Sequence, residues 1–191
     1  MSVAFFASVA PMIGKRLFIA IELSESVKQL LVRLNPKIRG VRWLSAEQMH
    51  LTLSFLGLVD ASAEEKLRDK LNAIRWSAFF LSVTGVGSFP GKGRPTILWI
   101  GVGAGHPHLF QLHKRVQDAA LAAGLEPDLR PWHPHITLAR CREVSAESVR
   151  PFLKAHADFD AGMIHVESFC LNSSVLTPEG SVYTPELVVR A

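Results

Sequence analysis

Two short stretches of the 191-residue chain repeat one arrangement of reactive side chains: His50-Leu51-Thr52-Leu53 and His135-Ile136-Thr137-Leu138. An imidazole and a hydroxyl two residues apart share one face of a β-strand, because successive side chains alternate between faces. His50 and Thr52 are therefore expected on one side, with Leu51, Leu53 and Phe55 on the other. His135 and Thr137 are expected to pair in the same way, backed by Ile136 and Leu138. Two such fronts facing each other form a cleft with two imidazoles and two hydroxyls. That set suits cleavage of a phosphate ester. A neutral imidazole takes a proton from attacking water, and a protonated one gives a proton to the leaving oxygen. An unperturbed pKa near 6.5 lets both forms coexist near neutrality, and each acid or base step is worth roughly 10²–10⁴-fold. The threonine hydroxyls can donate to phosphate oxygens. The scheme requires no metal ion.

These residues need strands, and the surrounding sequence supplies them. Leu17–Leu23 is an apolar β-rich run. Ser24 can cap a helix with Val27, Leu30, Leu31 and Leu34 at helical spacing, and Asn35-Pro36 ends it. Val41–Trp43 is a short strand ahead of the first motif strand, His50–Leu56, which Gly57 closes. Asp60 or Ser62 can cap a helix running to about Arg75, with Ala63, Leu67, Leu71 and Ile74 on one face. Phe79–Phe89 is a long strand whose Gly85 and Gly87 predict a bulge or a close backbone approach. After the turn at 90–95 come the strand Thr96–Val102 and a helix over Pro107–Ala123 that stops at Gly124. The second motif strand, His135–Arg140, follows a proline-rich loop. Ser145 caps a helix to about His156. Strands at Ile164–Val175 and Val182–Val189 flank the turn at Thr177–Gly180.

The order strand, helix, short segment, His/Thr strand, helix, strand describes residues 17–89 and again 96–175, with the motifs 85 positions apart. This duplication predicts an α+β fold that is bilobal: two pseudo-symmetric lobes, with mainly antiparallel sheets lining a central cleft and helices on the outside. Residues 15–191 are expected to form one such domain. Residues 1–14 are apolar, too short to span a bilayer and without a basic start, so they read as a poorly ordered extension rather than a signal.

Composition narrows the class. Hydrophobic residues make up 48% and charged residues 20%, which excludes a disordered chain. The net charge of +4 suits an anionic partner without requiring one. Cys141 and Cys170 are too few for a disulfide framework, and a reducing cytoplasmic setting is expected.

The segments RLFIAIEL, VRWLSAEQMHLTLSFLG at 41–57, WHPHITLAR at 132–140 and LNSSVLTPEGSVYTPEL at 171–187 carry a resemblance to the 2H phosphoesterases. Within them, the chain is similar to the RNA 2′,3′-cyclic phosphodiesterases, also called 2′-5′ RNA ligases. The resemblance runs from about Arg16 to Val189. It implies motifs facing across a central cleft and hydrolysis of a terminal 2′,3′-cyclic phosphate to a 2′-phosphate. It also implies His50 as proton donor to the leaving 3′ oxygen and His135 as proton acceptor from water, an order that sequence symmetry alone leaves open. Reverse 2′-5′ ligation at the same site is part of the implied activity. The expected partner is RNA with a 2′,3′-cyclic phosphate end or a small nucleotide, bound by a monomer without membrane, cofactor or obligate protein partner. Two alternatives remain: a phosphodiesterase for small cyclic or 2′-5′-linked nucleotides, and a non-catalytic RNA-end-binding module.

Several neighbours stay open. Arg140 is placed to clamp a phosphate, but strand parity puts it with Ile136 and Leu138, away from His135, unless the strand ends or bulges. Arg42, Lys92, Arg94 and Arg130 are candidates to guide an RNA backbone or plain surface charges. Trp43 and Trp132 could stack on a base or pack in the core, and Tyr183 faces the same choice. His106, His108, His113 and His133 invite a zinc reading, yet no acidic or cysteine ligand joins them at a usual spacing, so no metal site is expected.

Overall fold

The structure is a computed structural model, and it describes residues 14–126, 128, 130–178 and 180–191. The expectation for residues 1–14 therefore lies outside the described residues apart from Gly14. The strands are β1 (Lys15–Glu22), β2 (Val41–Trp43), β3 (His50–Val59), β4 (Phe79–Phe89), β5 (Ile97–Val102), β6 (His135–Cys141), β7 (Asp160–Val166), β8 (Ser168–Thr177) and β9 (Gly180–Arg190). The helices are α1 (Glu25–Arg33), α2 (Ala61–Asn72), α3 (Pro107–Ala122) and α4 (Ala146–Ala155). The strand expected over 164–175 is two strands, β7 and β8, which break at Glu167 and join different parts of the sheet.

All the strand pairs are antiparallel, in the order β7-β4-β5-β6-β3-β1-β8-β9, with β2 on β6. The sheet has two halves, and each is built around one motif strand. In one half β3 is followed outward by β1, β8 and β9; in the other β6 is followed by β5, β4 and β7. This is the bilobal α+β arrangement expected from the duplication, with one refinement. β4 ends the first sequence repeat but lies in the second half, beside β5. β8 ends the second repeat but lies in the first half, beside β1. The repeats thus exchange their last strands, which ties the halves together covalently.

The halves meet where β3 passes β6. Among the described residues they share one registered pair, Leu51↔Ile136, the central residue of each His-x-Thr. Both side chains are fully buried. With Leu53 and Leu138 they enter one core with Val27 and Leu31 of α1, Leu67 and Leu71 of α2, and Leu109, Leu112 and Val116 of α3. Burying each such side chain stabilises by about 1.5–3 kcal/mol. A smaller cluster under α4 contains Leu98, Ala139, Val149 and Phe152.

Local signals explain the helix starts. The Asp60 carboxylate accepts from the Ala63 amide at 2.9 Å, and the Ser145 hydroxyl accepts from the Ser148 amide at 3.3 Å. Ser24 occupies the N-cap of α1 without a side-chain cap bond. Both glycine expectations in β4 hold, each for a different reason. Gly85 takes φ +74° at the register shift between Thr84 and Val86, which is a bulge. Gly87 lies under the Trp99 ring, where an added Cβ would sit 2.3 Å from the indole.

Candidate active site

Continuing the antiparallel register one residue either side of Leu51↔Ile136 sets His50 across from Thr137 and Thr52 across from His135. All four polar side chains are half-buried, between buried neighbours, so each motif alternates buried and partly exposed positions; His50, Thr52 and His135 line cavities. Beyond the motifs the alternation changes phase. On β3 the partners of Ile19 and Ala20 are Ser54 and Thr52, so Leu53 is passed over. On β6 the partners of Leu98 and Trp99 are Ala139 and Thr137, so Leu138 is passed over. Each motif is therefore followed by a bulge of one residue.

These bulges correct two expectations. Phe55 does not point into the core with Leu51 and Leu53; it is 63% exposed and lies in the wall of the cleft. Arg140 does not follow Ile136 and Leu138 to the back; it is exposed and lines the same cavity as His50. The two residues hold equivalent places, five positions after each motif histidine.

Two cavities flank the histidines and share Phe55. The first, of 570 Å³, is lined by His50, Phe18, Tyr183 and three arginines, Arg16, Arg42 and Arg140. The second, of 290 Å³, is lined by His135, Thr52, His133, Trp132 and Arg130 among others. Arg42 faces Arg140 in the β2–β6 register, and its guanidinium approaches Gly180 of the β8–β9 hairpin. Gln48 ties that hairpin to the first motif by donating to the Ser181 carbonyl at 3.0 Å.

Each histidine is held by rings and by a carbonyl two residues earlier. The His50 ring stacks on Phe18 with centroids 4.9 Å apart and meets Tyr183 edge-on at 5.2 Å. It donates to the Gln48 backbone, which favours its protonated form. His135 packs edge-on against Phe89 at 5.1 Å, and its Nδ1 donates to the His133 carbonyl at 2.7 Å. That bond leaves Nε2 of a neutral His135 with its lone pair free to accept a proton.

Burial dominates the electrostatics. Loss of water pushes the His50 pKa down to about 4, helped by the Lys28 ammonium and by His135. Burial also lowers His135, with His133 adding to the effect against the carbonyl bond. The charge of His135 is the smallest of the influences on His50, well behind its burial.

Other candidates separate cleanly. Tyr183 belongs to the site through its contact with His50. Trp43 is structural: its indole donates to the Leu31 carbonyl at 3.2 Å and packs on Phe152. Trp132 lines the His135 cavity, but one face is covered by His113 at 4.0 Å. Arg130 lines that cavity too, ion-paired with Asp128. Lys92 and Arg94 are exposed in the β4–β5 connection. The four histidines of the zinc reading disperse: His106 and His108 pack around Phe79, His113 on Trp132, and His133 against Trp99. Among the described residues no three His, Cys, Asp or Glu side chains are grouped to hold a metal.

Arg16, Phe18, Phe89 and Trp99 were not singled out from sequence. A signal for Phe18 exists: LFIAI is apolar without alternation, which marks a strand covered on both faces. One face of β1 meets the core, and the other lies beneath His50 and Tyr183.

A half-barrel of antiparallel strands with two symmetry-related His-x-Thr motifs defines a class, and comparison with known proteins agrees. Residues 22–174 match the model of the 2′-5′ RNA ligase superfamily, and the chain belongs to that superfamily. Its relatives include the RNA 2′,3′-cyclic phosphodiesterase of Thermotoga maritima, 32% identical over 174 residues, or 88% of this chain and 91% of that protein. The protein of the same name from Aeropyrum pernix is 32% identical over 146 residues, 76% of this chain and 83% of its own. Among solved structures, E. coli LigT complexed with 3′-AMP superposes with a TM-score of 0.75 at 28% identity, covering 93% of this chain and 98% of that one.

Proposed function

We propose that this chain, through the unit spanning residues 15–191, hydrolyses RNA 2′,3′-cyclic phosphate ends to 2′-phosphates by two-histidine acid–base catalysis that needs no metal ion. The observation that carries this reading is the placement of His50, Thr52, His135 and Thr137 around the Leu51–Ile136 pair, beside a cavity with three arginines. The names of the relatives support the same substrate class. His135 Nε2 takes the proton of the attacking water, and His50 gives a proton to the departing 3′ oxygen. The order follows from likeness to the family. Thr52 and Thr137 donate to the non-bridging oxygens, and Arg140 holds the phosphate charge. A cyclic 2′,3′-phosphate requires a ribose 2′ oxygen, so the substrate is RNA or a ribonucleotide. Ligation uses the same site with a 5′-hydroxyl in place of water: the hydroxyl attacks the cyclic phosphorus, the bond to the 3′ oxygen breaks and a 2′-5′ linkage forms, the reverse of cleaving such a linkage.

His50 must be protonated to act, although burial holds its pKa near 4 in the free protein. The anionic phosphate supplies the compensating charge, so the acid is made on binding.

The test uses an RNA oligomer ending in a 2′,3′-cyclic phosphate, with and without EDTA, alongside 2′,3′-cyclic AMP. Formation of a 2′-phosphate in EDTA is expected, and faster on the oligomer. Turnover restricted to the mononucleotide selects the small-nucleotide alternative. Binding without turnover selects the RNA-end-binding module, and activity lost in EDTA overturns the mechanism.

A further inference from the structure

On the Thr137 side of the Leu51–Ile136 pair, the Leu44 amide bonds the Leu138 carbonyl at 2.8 Å and ties the first repeat to β6. On the Thr52–His135 side a tryptophan makes the tie. The Trp132 indole N–H donates to the Thr52 carbonyl at 3.3 Å. Trp132 immediately precedes His133-Pro134-His135, so this bond joins the approach to one motif to the backbone of the other. The His113 ring of α3 lies flat on the indole, with centroids 4.0 Å apart and planes 8° from parallel, and Phe110 meets its edge at 5.4 Å.

A chain of bonds leads from there back to β3. Gln117 Nε2 lies 3.3 Å from His113 Nε2, and the Ser54 hydroxyl donates to Gln117 Oε1 at 3.5 Å. The directions agree: the amide N–H₂ donates to a neutral imidazole, and the amide oxygen accepts from the hydroxyl. Ser54 is only 4% exposed and directly follows the residue passed over in the β3 bulge. The ring Ser54–Gln117–His113–Trp132–Thr52 therefore begins and ends on β3 beside the first motif. It passes through α3 and the approach to the second.

We propose that Trp132 is a positioning residue: through this ring it sets the separation and orientation of His135 relative to His50 across the cleft. A displacement of about 1 Å in reacting groups can cost on the order of 10²-fold in rate. The activity arm of the test rests on the cyclic phosphodiesterase reading; the spectroscopic arm does not.

The decisive variant is Trp132→Phe, which keeps an aromatic ring against His113 and removes the N–H donor. The control is Trp43→Phe, which removes the indole bond to Leu31 away from the cleft. For Trp132→Phe, kcat on a 2′,3′-cyclic phosphate oligomer is expected to fall roughly ten- to a hundredfold, with KM changed less than about threefold and a displaced pH–kcat profile. For Trp43→Phe only the melting temperature is expected to fall. In parallel, NMR titration of the His50 and His135 ring protons should show altered apparent pKa values in Trp132→Phe and not in Trp43→Phe. Unchanged titration of both rings in a folded Trp132→Phe overturns the proposal. So does a loss confined to KM, or an equal loss of kcat in the two variants. A wild-type protein without turnover overturns the functional reading instead, and the titration still decides the role of Trp132.

Discussion

Leu51 and Ile136 face each other across β3 and β6, and each is the middle residue of a His-x-Thr. One buried apolar pair therefore fixes four polar groups at once. His50 stands across from Thr137, and His135 from Thr52. The relation is close to a two-fold, so under the proposed function the two hydroxyls would approach a phosphate from equivalent places. Thr52→Val and Thr137→Val each remove one donor to a charged oxygen, a bond worth about 1.5–3 kcal/mol. Each is expected to lower kcat/KM by roughly 10–100-fold, by similar amounts. Steady-state kinetics on both variants checks this; a loss in one alone would mean that only one half of the site grips the phosphate.

Burial of the pair has a consequence for stability. The His50 pKa is near 4 when folded, against about 6.5 unfolded. Between these values the unfolded chain binds more protons than the folded one, so stability rises with pH. The contribution is complete above about pH 7 and is lost as pH falls through 6.5 toward 4, by up to about 3 kcal/mol. His135 and His113, both lowered by burial, act in the same direction. Urea unfolding at pH 7.5 and 5 is expected to show the decline, and His50→Phe should flatten it.

The same shift would make the proposed phosphate binding proton-linked. Burial lowers both His50 and His135, which favours their neutral forms in the free protein at pH 7, while a phosphate ester bound as proposed would bring a negative charge beside them. Binding should take up a proton, and affinity for a 2′-phosphate product should rise by up to about tenfold per unit as pH is lowered from 7. Calorimetry in buffers of different ionisation enthalpy measures the uptake. Zero uptake at pH 7 would show that neither histidine is charged in the complex.

Much of this was legible because period-2 alternation and duplication are local signals. The motif strands, their polar and apolar faces and the central cleft all follow from residues 50–53 and 135–138. The bulges were not legible. Leu53-Ser54 and Leu138-Ala139 read as ordinary alternation, and only the register against β1 and β5 shows that one residue is passed over. That single slip moves Phe55 and Arg140 from the core face to the cleft. The exchange of β4 and β8 was equally hidden, since strand partners are set by long-range packing. Phe89 reaches His135 only because β4 crosses to the second half, whereas Trp99 comes from β5, the direct neighbour of β6.

Charge also ties β1 and β9 to α2. Glu64 of α2 is 7% exposed and meets Lys15 at 3.2 Å and Arg68 at 2.6 Å; both cations also reach Glu186 of β9, at 2.9 and 3.1 Å. Glu64→Gln preserves shape and leaves the two cations underpaired. It is expected to cost about 1–3 kcal/mol and to lower Tm by roughly 2–10 °C, with kcat unchanged. Differential scanning calorimetry with parallel kinetics separates this structural role from a catalytic one.

Arg140 offers the sharpest check on the bulge in β6. If Leu138 were in register, Arg140 would lie behind the sheet and its charge would not matter to a phosphate. With Leu138 passed over, Arg140 lines the cavity that holds His50, with Arg42 opposite on β2. A planar fork of donors binds two phosphate oxygens at once, whereas a lysine offers a point charge. Arg140→Met is expected to raise KM for a cyclic phosphate oligomer about tenfold or more, the loss of one charge-assisted contact of about 1.5–3 kcal/mol. Arg140→Lys should fall between Met and wild type, because charge returns without the fork. Raising salt should weaken the wild type more than Arg140→Met, since one ionic contact fewer remains to be screened. Equal KM and salt response in wild type and Arg140→Met would place the side chain outside the cleft and with it refute the bulge as the device that brings a cation to the phosphate.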